Sequence, residues 1–419
     1  MTVTPSTPRR IVHVCPRYAP AFGGAELFFE KLAERLVARG DDAEVWTTNA
    51  LDVAAFTRRG ARLVPPTARA AGVRVRRFPV RYVPGRAPVL TAANALPLGR
   101  AWAAMTPRWG PFVPDMLRAA QRHPAPVDIV HAAALPYSSV LYCGWRLARR
   151  ARSRLVITPF FHQGRPGPDG ARHRRAYLSP VNRWLLAQAD LVFVQTEAER
   201  RALTDAGVPS ARMRLVGMGV DPIDCTGGDR ARGRARLGVG PDEVVVGHLG
   251  NKSADKGTLD LVAAARLLWA DGARFRLVLA GPSMPDYLRA LPREARPDPV
   301  IDVGEFDIEA RRDFYAALDV FALPSVVESF GIVLLEAAAN GVPSLAYATG
   351  GPAKILEHDR TGLLAPPGDV RQLANLLRRV VLNGGLRERL GAEARSLSAR
   401  WPWTRCTDLV LDAYDHLLE

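Results

Sequence analysis

The sequence predicts an α/β protein of two doubly wound parallel-sheet domains facing a central cleft. Three observations carry this. Short β-rich runs alternate with amphipathic helical patterns from end to end. Several of those runs are apolar throughout, and 419 residues are more than one ordinary domain uses.

The expected strands are Ile11–Cys15, Glu44–Thr48, Val73–Phe78, Asp128–His131, Arg154–Pro159, Leu191–Gln195 and Met213–Val216. A second set follows at Glu243–Gly247, Phe275–Ala280, Val300–Val303, Val320–Leu323 and Pro343–Tyr347. The runs VVVG, LVFV and VFAL show no polar alternation, the pattern of strands covered on both faces. Among the intervening helices, Ala25–Arg39 places Leu32, Leu36 and Val37 on one stripe and stops at Gly40. The boundary falls in Gly217–Gly240, rich in glycine and charge, which divides the chain into Rossmann-like domains 1–218 and 219–398.

The 48% hydrophobic share suffices for packed cores and excludes wholesale disorder. No run reaches the ~18 apolar residues of a membrane span, and MTVTPSTPRR lacks the basic-apolar-small order of a secretory leader. Cys15, Cys143, Cys225 and Cys406 are scattered without a CxxC or Cys/His cluster, so a reduced, cytoplasmic setting without structural zinc is expected. Basic residues outnumber acidic ones by 57 to 42, and only Lys31, Lys252, Lys256 and Lys354 are lysines. Part of that excess is arginine-biased composition, and the rest favours anionic partners. Nucleic acid is excluded because the arginines are dispersed and no aromatic-basic motif appears. An anionic membrane surface stays open as a partner through RRFPVRYVPGR (76–86), which would make the protein peripheral at the inner membrane face. The segment Pro84–Pro126, with Trp102, Met105, Trp109, Phe112 and Met116, suggests an acceptor-side flap, a membrane-touching surface or a helical hairpin packed on domain one.

The strongest chemical signal is PSVVESFGIVLLEAAANGVPSLAYATGG (324–351), in which a helix opens near Gly331 and Glu328 and Glu336 are separated by seven residues. Eight helical steps span roughly 12 Å, beyond the ~5–9.5 Å of two carboxylates acting on one glycosidic bond. The pair would instead grip opposite ends of a long ligand, with a diphosphate between them at the helix start. A second signal is GHLGNKSADKGTLDL (247–261), where two of the four lysines cluster in a glycine-rich turn suited to phosphate. A third is PAFGGAE (20–26), where Gly23 and Gly24 allow close backbone approach before a helix. A fourth is His162, on the loop leaving the strand at Arg154–Pro159.

Together these motifs resemble the retaining glycosyltransferases of GT-B architecture, sequence family 4. The resemblance extends through GGPAKILEHDRTGLLAPPGD (350–369) and covers nearly the whole chain. It implies that Glu328 contacts donor-sugar hydroxyls and Glu336 the nucleotide ribose, while the backbone of Phe330, Gly331 and Ile332 meets the pyrophosphate. It maps the family's phosphate-binding Lys-Gly onto Lys256–Gly257. His248 stands where the family usually has arginine, and Lys252 is the candidate for the missing charge. Gly24 matches a loop closing over donor phosphate and acceptor, and His162 a histidine near the reaction centre. The resemblance further implies that domain one holds the acceptor, that domain two holds a UDP- or GDP-sugar, and that the helix around Trp403–Leu418 (399–419) returns to domain one.

No Asp-x-Asp, GxxxxGK[ST] or HExxH motif occurs, so no metal and no separate cofactor are expected. Lysine and helix termini would then stabilise the leaving diphosphate. The expected activity is metal-independent, retaining transfer of a hexose to a sugar, lipid-linked or small-molecule acceptor. A nucleotide-sugar epimerase of the same architecture and a non-catalytic subunit of a polysaccharide pathway are the alternatives.

Overall fold

A computed structural model describes residues 8–21, 23–58, 67–70, 72–82, 90, 99–106, 110–124, 126–162, 164, 167–292, 299–306 and 308–419. The chain divides into two compact units. Met1–Gln163, Ala171–Val216 and Thr407–Glu419 form the first, and Gly164–Gly170 with Gly217–Cys406 the second.

The first unit contains β1 (Arg10–Val14), β2 (Asp42–Thr48), β3 (Thr67–Ala70), β4 (Val73–Phe78), β5 (Ile129–Ala132), β6 (Arg154–Ile157), β7 (Leu191–Val194) and β8 (Met213–Leu215). Among the described residues these form one sheet in the order β3-β4-β2-β1-β5-β6-β7-β8. Every pairing is parallel except that of β3 with β4. The central strands are buried on both faces, as their apolar runs require. Helix Gly24–Ala38 buries Phe28, Phe29, Leu32, Ala33 and Leu36 at helical spacing, whereas Val37 is only half-buried.

Where it is described, segment 84–126 matches the third of its expected readings, helices packed on the first domain, and not a flap or a membrane-touching surface. Helices Gly99–Met105 and Pro114–Arg122 bury Met105, Met116 and Ala120 in the same cluster as Val140, Leu141 and Leu147. Met105 and Met116, two of the side chains that suggested an outward surface, thus point inward, and Phe112 is half-buried. Trp102 is the exception at 38% exposed, and Trp109 lies outside the described residues. The basic run at 76–86 is largely engaged within the unit. Arg77 is buried, Arg76 stacks on Trp46 and Phe78, and Arg81 pairs with Asp115 at 2.8 Å. Its last residues, 83–86, lie outside the described set.

The second unit contains β9 (Val245–Leu249), β10 (Arg276–Ala280), β11 (Val300–Asp302), β12 (Val320–Leu323), β13 (Ser344–Tyr347) and β14 (Gly362–Ala365). They form a parallel sheet in the order β11-β10-β9-β12-β13-β14. Val246, Leu277, Leu279, Val320 and Leu345 meet Leu261, Leu268 and Leu377 in its core. Strand order reverses direction between β9 and β12, and parallel sheets take ligands beyond the carboxyl ends of their strands at such a point. The loops after β9 and β12 therefore define where to look.

Candidate functional site

In the second unit those two loops are locked together by backbone. The N–H groups of Val326 and Val327 donate to the Asp255 carbonyl at 3.0 and 3.1 Å. Gly257 adopts φ +67°, and a Cβ there would lie 1.8 Å from the Pro324 carbonyl oxygen, so only glycine permits the contact. This close approach sets the Lys256 ammonium 2.8 Å from Glu328 Oε2. The side chains are 27% and 11% exposed, partly shielded yet open to a ligand.

Helix Ile332–Ala339 follows, with Gly331 as its N-cap at φ +90° and no side chain capping the first turn. Its start is suited to an anion. The loop leading into it is braced from behind, where Thr349 Oγ1 donates to the Ser325 carbonyl at 2.8 Å. A Cβ on Gly351 would fall 1.8 Å from the Phe330 carbonyl oxygen. Phe330 is buried and meets Trp401 edge-on at 5.6 Å. Ile332 is the first residue of the helix and is also buried.

Glu336 lies in the second turn of that helix and is 3% exposed. Tyr315 donates its hydroxyl to Oε2 at 2.6 Å, and Arg311 donates to Oε1; both project from helix Ile308–Ala317. Burial pushes the Tyr315 hydroxyl well above its ordinary pKa, so it remains a donor. Burial alone would lower the Arg311 guanidinium, but the Glu336 charge outweighs it and the net direction is upward. Each carboxylate oxygen keeps a further lone pair for a ligand hydroxyl. Residues 328–331 precede the helix, so the eight-step helical ruler between Glu328 and Glu336 does not apply.

Two expected phosphate ligands are corrected. Lys252 is 2% exposed, and its ammonium donates to Asp302 and, at 2.9 Å, to the Val303 carbonyl, while Tyr287 donates to the same aspartate at 2.7 Å. It neutralises a partly buried carboxylate and is not a charge offered to a ligand. His248 is fully buried inside β9, with Nδ1 2.9 Å from the Ala322 carbonyl and Nε2 3.2 Å from Thr258 Oγ1. Burial lowers its pKa to about 4. A neutral ring donating through Nδ1 and accepting through Nε2 is a core element and not a phosphate ligand.

In the first unit, Gly24 opens helix Gly24–Ala38 and Gly23 precedes it with extended backbone. A Cβ on Gly23 would lie 2.2 Å from Glu26 Oε2, and Glu26 pairs with Arg17 at 2.7 Å. The start of this helix therefore already holds a carboxylate of the chain itself. His162 is half-buried and stacks on His173 at 4.4 Å, which stacks in turn on Tyr177 at 4.0 Å. His131 is fully buried between the Tyr414 hydroxyl and Thr158 Oγ1, each 2.6 Å from a ring nitrogen.

Sequence reasoning missed Arg311 and Tyr315, the partners of Glu336, and Glu199, whose carboxylate accepts from the Phe161 and Gln195 N–H groups. The first two carried no signal beyond their one-turn spacing on a helix. Glu199 carried one, for Thr196-x-x-Glu199 reads as a capping box. Among the described residues, no group of three or more His, Cys, Asp or Glu side chains is placed to hold a metal, and no helix is long and apolar enough to cross a membrane.

The family model for glycosyl transferases group 1 matches residues 229–397, and that for the glycosyl transferase 4-like domain matches 23–219. A D-inositol 3-phosphate glycosyltransferase from Actinosynnema mirum is 32% identical, covering 96% of this chain and 95% of its own length. The chain belongs to the group 1 glycosyltransferases. A namesake from Nocardia farcinica is 30% identical over 97% of this glycosyltransferase and 88% of its own length. Among solved structures, sucrose-phosphate synthase from Thermosynechococcus elongatus superposes with a TM-score of 0.75 at 24% identity, covering 98% of this chain and 99% of its own. HepE of Anabaena in complex with UDP-glucose gives 0.70 at 21% identity, covering 97% and 100%. This glycosyltransferase is a hexosyltransferase with the two-domain, Rossmann-like GT-B fold.

Proposed function

We propose that this glycosyltransferase moves a hexose from a nucleoside diphosphate sugar to a hydroxyl acceptor with retention at the anomeric carbon and without a metal. The observation that carries the reading is the Lys256–Glu328 pair, 2.8 Å apart beside the uncapped start of helix Ile332–Ala339. When the glycosidic C–O bond breaks, its electrons go to the diphosphate. Lys256 and the helix start supply fixed positive charge there, with Phe330, Gly331 and Ile332 as its backbone lining. Glu328 holds sugar hydroxyls, and Glu336 accepts from the ribose, its rotamer fixed by Arg311 and Tyr315. Gly24 keeps the role that the family resemblance gives it, in a loop closing over the donor phosphate and acceptor, and Gly23 beside it allows close backbone approach. His162 of the first unit is assigned to the reaction centre on the same ground. Among the described residues this reading assigns no covalent nucleophile: the acceptor oxygen attacks on the same face, as the family's stereochemistry implies, and its proton passes to the departing diphosphate.

The names of the relatives favour a phosphorylated polyol as acceptor, which also suits the basic chain. UDP-glucose, present in the HepE complex, is the first donor to try. An anionic membrane surface remains part of the proposal only as a place where such an acceptor could be met. A thermal-shift panel of UDP-, GDP-, ADP- and TDP-sugars tests donor choice, and NMR of the product gives the anomeric configuration. An inverted product would refute retention. A donor that epimerises without acceptor would refute transfer.

A further inference from the structure

Glu199 is a buried carboxylate that the proposed chemistry does not use. It is 4% exposed, and its two oxygens accept from two separate loops. The Phe161 N–H donates to Oε1 at 2.6 Å and the Gln195 N–H to Oε2 at 2.6 Å. The first donor lies beyond β6 and the second beyond β7, so one side chain ties the carboxyl ends of neighbouring strands. Its own position is set locally, because its N–H donates to the Thr196 hydroxyl at 3.2 Å in the first turn of helix Glu197–Asp205.

The loop it holds is conformationally costly. Phe160 adopts φ +50°, a left-handed geometry that an aromatic residue disfavours. Phe160 then packs edge-on against Phe28 at 5.5 Å, and His162 turns onto the His173 ring. A backbone anchor at Phe161, between the strained residue and the histidine, fixes where His162 sits. Burial raises the Glu199 pKa to about 7, while the backbone donors act in the opposite direction by favouring the charged form.

We propose that Glu199 is a positioning residue for transfer, acting through the backbone of Phe161 to hold His162 at the reaction centre. This rests on the assignment of His162 given above. A neutral amide cannot accept from both N–H groups, so Glu199→Gln should lower kcat roughly 10- to 100-fold while donor KM changes little. The deciding measurement is a double-mutant cycle with His162→Ala. If Glu199 acts through His162, adding Glu199→Gln to His162→Ala costs less than about 2-fold more. Equal costs in both backgrounds would overturn the positioning role. Full activity of His162→Ala alone would instead overturn the assignment on which the proposal rests. Should Glu199→Gln not fold, hydrogen exchange on the native protein decides. The Phe161 amide should be protected like those of β6, and exchange at the rate of an open loop would refute the clamp.

Discussion

Lys256 and Glu328, 72 residues apart in sequence, form an ion pair of 2.8 Å across the point where strand order reverses in the second unit. The contact exists because backbone, not side chains, joins their loops. A ligand carrying an anion and hydroxyl groups can divide this pair between its two ends.

Removing the cation tests that division. Lys256→Ala should cut kcat/KM by about 100- to 1,000-fold, the usual loss on deleting one group that stabilises developing negative charge. Steady-state kinetics with the best donor reads this. A change below threefold would mean that the diphosphate leaves without Lys256.

Tyr315→Phe removes one of the donors that orient Glu336 and keeps the ring. Donor KM should rise roughly 10-fold, with kcat little altered, since a hydrogen bond to a charged group contributes about 1.5–3 kcal/mol. The same rise with a ribose-modified donor lacking the 2′ and 3′ hydroxyls would dissociate Tyr315 from ribose recognition.

Gly257→Ala places a methyl group against the Pro324 carbonyl and demands a left-handed alanine. The expected cost is about 1–3 kcal/mol of stability, with donor binding lost as the two loops part. Calorimetry and a donor titration check both parts. An alanine variant of native stability would contradict so close an approach of the two loops.

Acid should destabilise the fold before the carboxylates titrate. His248 has a folded-state pKa of about 4 against an ordinary 6.5, lowered by burial. Above pH 6.5 the ring is neutral whether folded or not, and its contribution is intact. As pH falls from 6.5 towards 4, the unfolded chain takes up the proton that the buried ring refuses, and roughly 3 kcal/mol is lost. His13, with a pKa lowered to about 3, acts in the same direction in the first unit. Urea denaturation of wild type and His248→Gln at about pH 7 and about pH 4.5 should show a smaller pH dependence in the variant.

Much of the fold was legible because strands buried on both faces announce themselves as apolar runs. β12 was placed to the residue, and its neighbours to within one or two. The strands Thr67–Ala70 and Gly362–Ala365 were missed, the first small and polar on an antiparallel edge, the second only four residues long. The loop and helix that carry Glu328, Gly331 and Glu336 were legible because they lie in one local motif. Legibility ended where a distant partner decides the role. Lys252 and Lys256 look equivalent in one turn, until Asp302, fifty residues on, draws the first inward. His248 lies on a strand with both faces covered, so alternation could not tell an exposed ring from a buried one. Arg311 and Tyr315 were invisible because only folding brings them to Glu336.

The most direct test is the thermal shift produced by the preferred nucleotide sugar in wild type and in Glu336→Gln. At 100 times the dissociation constant the wild type should gain ~2.7 kcal/mol of stability. The variant starts from a lower baseline because Arg311 loses its charged partner, and the account predicts that the same donor concentration raises it far less. A variant that keeps the whole wild-type gain would place the ribose elsewhere and contradict the proposed donor site.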